Sequence, residues 1–304
     1  MKKHRAFLLS VLVPILIWVA IFVIYPLLYS LWASLHLWIP EKPFGSVFVG
    51  LSNYIKLFTI DPRFKTALFN TMIYVAVKTG FVIPIGIIIA LILNKVKRLQ
   101  RLYIYLIFAP VICSIPAVGV LFVYLYQPTF GLFNTILKIF NLPMQGFLAD
   151  AKQALFCVVG ADIWQTLGFS TLIFFTGLIS MPKIFTEVAR LDGANPFQIL
   201  FRVTLPLLRH TILFITVYTM ILGFQVFEFI FVMTSSGGGT GGTAGGPGTS
   251  TYVLSLLVYN EGLLRMQIDK GAAVGIIMFA TMLILTIALF KVLINCINMI
   301  ALLR

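Results

Sequence analysis

Six long apolar stretches alternate with shorter polar segments along the 304 residues. They cover roughly residues 7–35, 67–93, 102–126, 154–180, 211–234 and 271–299. Each is about as long as, or longer than, the ~20 residues a helix needs to cross ~30 Å of hydrocarbon. The pattern therefore predicts six membrane-spanning helices. The first follows a basic start, Met1 to Arg5, but runs far beyond the 7–15 residues of a signal-peptide core and shows no small-residue cleavage site. It reads as a retained helix in which Pro14 and Pro26 are tolerated. Residues 36–66 form a mixed loop with Pro40, Pro43, Pro62 and six charged groups. Residues 132–140 predict a short surface helix. Ser235–Ser250, SSGGGTGGTAGGPGTS, predicts a flexible connector. After it, Tyr252, Leu256, Tyr259 and Leu263 share one helical face, which predicts a surface helix over Tyr252–Leu264 at the outer interface.

Composition agrees: 60% hydrophobic residues, 10% charged and a mean hydropathy of +1.05 describe an integral membrane protein. The net charge of +13 resides in short loops between apolar spans, which is the positive-inside pattern and argues against nucleic-acid binding. Six spans place both termini on one side. Assigning that side to the cytoplasm puts thirteen of the 22 Lys/Arg inside and eight outside, with Lys78 left within a span. Arg5 and the Lys95–Arg101 cluster flank short connections, where the rule is strongest. The expected architecture is an all-α membrane protein with cytoplasmic N- and C-termini. Its parts are a first helix and outer loop (1–66), a five-helix core (67–299) and a short cytoplasmic tail (300–304). Cys113, Cys157 and Cys296 lie in separate apolar stretches, and His4, His36 and His210 are scattered, so no disulfide framework or metal cluster is indicated. No catalytic grouping and no phosphate-binding glycine loop is present, which argues against an enzyme.

One polar segment stands apart. Residues 181–210, MPKIFTEVARLDGANPFQILFRVTLPLLRH, carry Lys183, Glu187, Arg190, Asp192, Arg202 and Arg209 between two apolar spans, on the cytoplasmic side of the expected topology. Pro182 suits a helix start, Glu187 favours the positive end of a helix, and Gly193 with Asn195-Pro196 stops it. A second amphipathic helix over 197–203 follows, and Pro206 leads into the next span. The residues suit a rigid helix–turn–helix knob or, more plainly, a solvated loop with ordinary capping.

The wording decides between them. Glu187-Val188-Ala189, three residues, Gly193, nine residues, then Val203-Thr204-Leu205-Pro206 resembles the EAA signature of bacterial ABC importer permeases, with conservative departures at Val188 and Val203. Further stretches are similar to the carbohydrate-uptake branch, including the maltose and glycerol-3-phosphate permeases: 22–30, 48–54, Asn70-Thr71, Asp162 to Trp164, Gly177-Leu178, Met181-Pro182, 224–234 and 252–260. The resemblance implies the type I importer fold in the bacterial cytoplasmic (inner) membrane. It also implies a second homologous permease, a dimer of cytoplasmic ATP-binding subunits and an extracytoplasmic solute-binding protein. ATP and Mg would be bound by the partner ATPase, since this chain lacks the GxxxxGK[ST] loop. It assigns ATPase coupling to Glu187, Ala189, Asp192, Gly193, Ala194, Leu205 and Pro206.

A solute path needs polar groups inside apolar spans. Asp162, Gln165, Thr166 and Phe169 share one face of the fourth span; Thr219, Gly223 and Val226 share a face of the fifth, with Gln225 adjacent. Polar groups beside an aromatic ring suit a sugar, and the resemblance implies contacts at these positions. The same small residues also suit helix–helix packing. Lys78, Asp162 and Glu228 are each either structural ion-pair members or path groups. The function expected is a permease for a sugar or oligosaccharide. The alternatives are a permease for a polyol phosphate or other small solute, or a stand-alone secondary transporter or channel.

Overall fold

The computed structural model describes residues 12–39, 47–235 and 244–302, with side chains through Lys291. The expectations for the basic N-terminus, half of the glycine connector (236–243) and the last residues of the tail lie outside this set. Helices α1 (Leu12–Ser34), α3 (Pro62–Lys95), α7 (Ala154–Ile179) and α13 (Ile268–Leu302) are long and apolar enough to cross a membrane. Two bent pairs bring the number to six when each is taken as one span: α4 (Gln100–Ile112) with α5 (Ile115–Leu125), bent by 97°, and α9 (Pro196–Leu207) with α10 (Arg209–Phe224), bent by 68°. Shorter helices are α2 (Ser52–Thr59), α6 (Leu132–Ile139), α8 (Ile184–Leu191), α11 (Glu228–Ser235) and α12 (Leu254–Leu264).

The chain divides into two compact units, residues 1–65 with 257–280 and residues 66–256 with 281–304. In the first, α1 has no buried residue in its apolar window. A helix apolar on every face suits lipid or another membrane subunit, not water. Two short strands, β1 (His36–Leu37) and β2 (Val47–Phe48), pair antiparallel with His36 opposite Phe48. Gly50 turns the chain at φ +56°, and buried Asn53 then donates to Ser34 O at 2.9 Å and His36 O at 3.0 Å. The 48–54 motif is thus a turn plus a hydrogen-bonding pin. Glu261, fully buried, takes Arg63 at 3.0 Å and Arg265 at 3.1 Å.

In the second unit α7 is the central post, with 61% of its apolar window buried. Glycines set the close crossings, as membrane interfaces favour. The bare face of Gly168 lies against the backbone of α4 at Ile107 and Phe108, and that of Gly177 against Leu208 and Thr211. Ile87, Leu93, Phe174, Phe175, Leu178, Leu208 and Ile215 form a buried apolar cluster. Buried Asn70 on α3 donates to the carbonyls of Thr249, Ser250 and Tyr252 at 3.2, 3.1 and 2.9 Å. Asn134 closes the loop after α5 in the same manner, onto Pro128 O and Gln145 O, both at 2.9 Å.

Four expectations need correction. The third span, expected over 102–126, is broken at Cys113-Ser114, where Cys113 and Ser114 turn extended at ψ 143° and 142°. The fifth, expected over 211–234, ends at Phe224, and α11 starts again at Glu228. The helix at 197–203 runs from Pro196 to Leu207, so Pro206 lies inside it and the bend falls at Leu208. The helix expected at the surface over 252–264 is buried at its start, at Tyr252, Leu254 and Leu256, where Asn70 and Thr71 pin it, while Leu263 and Leu264 at its end are exposed.

Asn70→Ala removes one donor from three buried carbonyls, so a stability loss of ~1–3 kcal/mol is expected. Thermal unfolding in detergent checks the loss, and hydrogen exchange should accelerate locally over residues 249–254.

Candidate translocation cavity and polar knob

Both broken spans open at the same place. Their breaks, with α3 and α7, line a cavity of about 510 Å³ bounded by Lys78, Cys113, Ser114, Asp162, Gln165, Thr166, Phe169, Tyr218, Leu222 and residues 225–229, among others. Backbone groups freed at a break in hydrocarbon need new partners. Gln165 Nε2 supplies one to Cys113 O at 2.9 Å, and Ser255 Oγ supplies one to Val226 O.

Of the eight expected path residues, six line the cavity: Asp162, Gln165, Thr166, Phe169, Gln225 and Val226. Two do not. Thr219 is fully buried and bonds Ile215 O at 2.8 Å, and Gly223 lets α10 approach Val75 of α3. These two serve helix packing. Val226 reaches the cavity from beyond the end of α10, not from a shared helical face with Thr219. Tyr218 was missed, although its ring lies 4.8 Å from that of Phe169 and the two form an aromatic wall. A helical repeat from Thr219 hid its neighbour, and the signal was the aromatic character alone.

The ionisable groups resolve differently. Asp162 takes Lys78 Nζ at 2.9 and 2.8 Å on its two oxygens, the Tyr74 hydroxyl at 2.7 Å and the Thr166 hydroxyl at 3.0 Å. Lys78 is 2% exposed and Asp162 5%. A buried pair is tolerable only when both members are so fully bonded. Glu228 instead lies exposed in the first turn of α11, at the cavity rim.

The knob is built from local rules. The chain leaves α8 through a left-handed Gly193 (φ +80°), with Ala194 N donating to Ala189 O and Gly193 N to Arg190 O, both at 3.0 Å. This is the Schellman closure of a helix C-terminus. Two residues later Asn195 Oδ1 accepts from Gln198 N and Gln198 Oε1 accepts from Asn195 N, both at 2.8 Å, a capping box with Pro196 at the first helical position. Helix α8 begins at Ile184, so Pro182 precedes the helix instead of opening it. Glu187, Asp192 and Gly193 are exposed, Ala189 and Ala194 half-buried, and Leu205 and Pro206 half-buried nearer the span. Ile184, Phe185, Val188, Leu191, Phe197 and Phe201 are exposed apolar groups, Leu191 at 87%.

The sequence profile described as "Binding-protein-dependent transport system inner membrane component" matches residues 82–298. The chain belongs to this family. It is therefore an ABC-transporter permease, a multi-pass membrane protein. It is 33% identical over 286 residues to the trehalose/maltose transport system permease protein MalF of Thermococcus litoralis, covering 92% of this chain and 91% of that one. It is 31% identical over 274 residues to the sn-glycerol-3-phosphate transport system permease protein UgpA of Yersinia pestis, covering 90% and 88%. Among solved structures, a chain of a bacterial alginate ABC transporter, in complex with an alginate pentasaccharide-bound periplasmic protein, superposes with a TM-score of 0.79 at 25% identity, covering 94% of this permease and 93% of that chain.

Lys78→Met leaves a buried carboxylate without its cation, and a loss of ~3–5 kcal/mol is expected. The double variant with Asp162→Leu should regain most of it. Thermal unfolding of both variants in detergent tests this, and equal destabilisation of the single and double variants would contradict the pairing.

Proposed function

We propose that this permease, with a second homologous permease, forms the path for a sugar or oligosaccharide handed over by an extracytoplasmic binding protein, in the bacterial inner membrane. The observation that carries the reading is one chain holding both parts of such a machine: a polar and aromatic cavity at the breaks of two spans, and an exposed, self-capped knob. A cavity of about 510 Å³ lies in the usual range for small-molecule sites. Amide groups of Gln165 and Gln225 and the hydroxyl of Thr166 would serve sugar hydroxyls, and the Phe169–Tyr218 wall the C–H face of the ring. The names of the relatives, which speak of trehalose, maltose, glycerol 3-phosphate and alginate, support the class.

In this reading both termini and the knob face the cytoplasm. The apolar residues of α8 and α9 seat in a cleft of a separate ATPase that binds ATP and Mg, and Glu187 pairs with a basic group there. Asp192, Gly193 and Ala194 fix the bend, Ala189 packs inside it, and Leu205 and Pro206 join it to the span. The permease itself hydrolyses nothing. Functionally the chain divides as a first helix and outer loop (1–66), a core with its coupling loop (67–299) and a cytoplasmic tail (300–304).

Glu187→Lys and Gly193→Asp should leave the amount of permease in the membrane unchanged while lowering solute-stimulated ATP hydrolysis at least about tenfold, as expected for loss of a buried interfacial charge pair or its geometry. The measurement is ATP turnover and radiolabelled solute uptake in proteoliposomes holding the whole transporter. Normal uptake by either variant would sink the coupling assignment, and purification of the tagged permease without any ATPase would favour a stand-alone transporter.

A further inference from the structure

The relatives' printed solutes differ in charge: trehalose and maltose are neutral, glycerol 3-phosphate and alginate anionic. The cavity bears on that difference. Among the described residues, its lining holds three side chains of formal charge, Lys78, Asp162 and Glu228. The first two cancel within bonding distance. Lys78 Nζ lies 2.9 and 2.8 Å from the two oxygens of Asp162 and is 2% exposed, so its cation is turned into the wall and withheld from any ligand. Glu228 is exposed, and its helix carries no Lys or Arg from Glu228 to Ser235. The described lining therefore carries a net formal charge of −1, on Glu228. The remaining groups are amides, hydroxyls, a thiol and hydrocarbon.

We propose that Glu228 is a specificity-determining residue that gives the cavity an uncompensated negative charge, so that this permease passes uncharged polyhydroxy solutes and rejects anionic ones. The inference rests on the carbohydrate reading above and narrows it. A neutral sugar gains from the arrangement, because a carboxylate accepts hydrogen bonds from hydroxyl groups. A phosphate or uronate finds no available cation among the described lining residues and meets a like charge at the cavity rim. That juxtaposition weakens binding by roughly tenfold or more. Rejection by a misplaced like charge is a general route to specificity, complementary to attractive contacts.

Cys113 reports the charge directly, since it is exposed and lines the same cavity. The complete transporter in proteoliposomes is treated with a cationic reagent, trimethylammonium-ethyl methanethiosulfonate, or an anionic one, sulfonatoethyl methanethiosulfonate. Modification of the Cys113 peptide is followed by mass spectrometry, and each rate is normalised to that of free mercaptoethanol. The cationic-to-anionic ratio should exceed one in the wild type, fall about tenfold in Glu228→Gln and drop below one in Glu228→Lys. A wild-type ratio at or below one, or a ratio unchanged by Glu228→Gln, overturns the proposal. Glu228 is solvent-exposed, so neither substitution empties a packed site.

Trehalose and glycerol 3-phosphate then serve as protecting probes. Slowing of the modification by glycerol 3-phosphate in the wild type, to the extent trehalose slows it, also overturns the proposal. Gain of glycerol 3-phosphate protection in Glu228→Lys supports it. Failure of trehalose to protect, with the reagent ratios as expected, overturns the carbohydrate reading and leaves the charge assignment standing.

Discussion

A backbone inside hydrocarbon must satisfy its own polar groups, and most of this structure follows from that constraint. Where the chain is an unbroken helix the ladder of hydrogen bonds does so. Where it breaks, side chains take over. Gln165 serves Cys113 O at the first break, Ser255 serves Val226 O at the second, and Asn70 serves the carbonyls that lead into α12. The breaks therefore coincide with polar side chains from neighbouring helices. The cavity opens at the two breaks in the spans, lined by Gln165 and by the helix ends themselves. Its polar character and the irregular backbone have one origin.

Charge is handled by the same economy. A lone Lys or Asp inside a span is costly, yet Lys78, Asp162, Tyr74 and Thr166 close on one another until no charge is left over. The pair fastens α3 to α7, the most buried of the long helices. Glu228 escapes the rule only because it is exposed at the cavity.

Local chemistry was readable in the sequence, and long-range chemistry was not. Gly193, Asn195, Pro196 and Gln198 announce a helix end and a helix start because capping acts over three to five residues. The six apolar blocks were equally plain, as hydropathy needs only length. The breaks at Cys113-Ser114 and after Phe224 were invisible because both sides are apolar, and averaging over a span hides a kink of 97°. Lys78 and Asp162 could be named as exceptional but not paired, being 84 residues apart. Thr219 and Gly223 were grouped with the path since a helical repeat places residues on a face without saying which neighbour that face meets. Tyr218 and Leu222 were lost for the same reason. The helix at 252–264 seemed superficial along its length from its periodicity, and the bonds of Asn70 and Thr71 at Tyr252 and Leu254 are what draw its start inward.

The back-to-back closure at Gly193 and Asn195 has a mechanical consequence. Each half of the knob is terminated by its own backbone and side chains, so its shape does not depend on what it touches. Helix α8 has eight residues and is thus about 12 Å long. A stiff arm of that length, tilted by about 10° at its base, carries its tip about 2 Å. A surface gripping Leu191 at the tip would thus exchange angle for displacement with the span that follows Leu208, as a crank does, and little of the motion would be lost to bending in between.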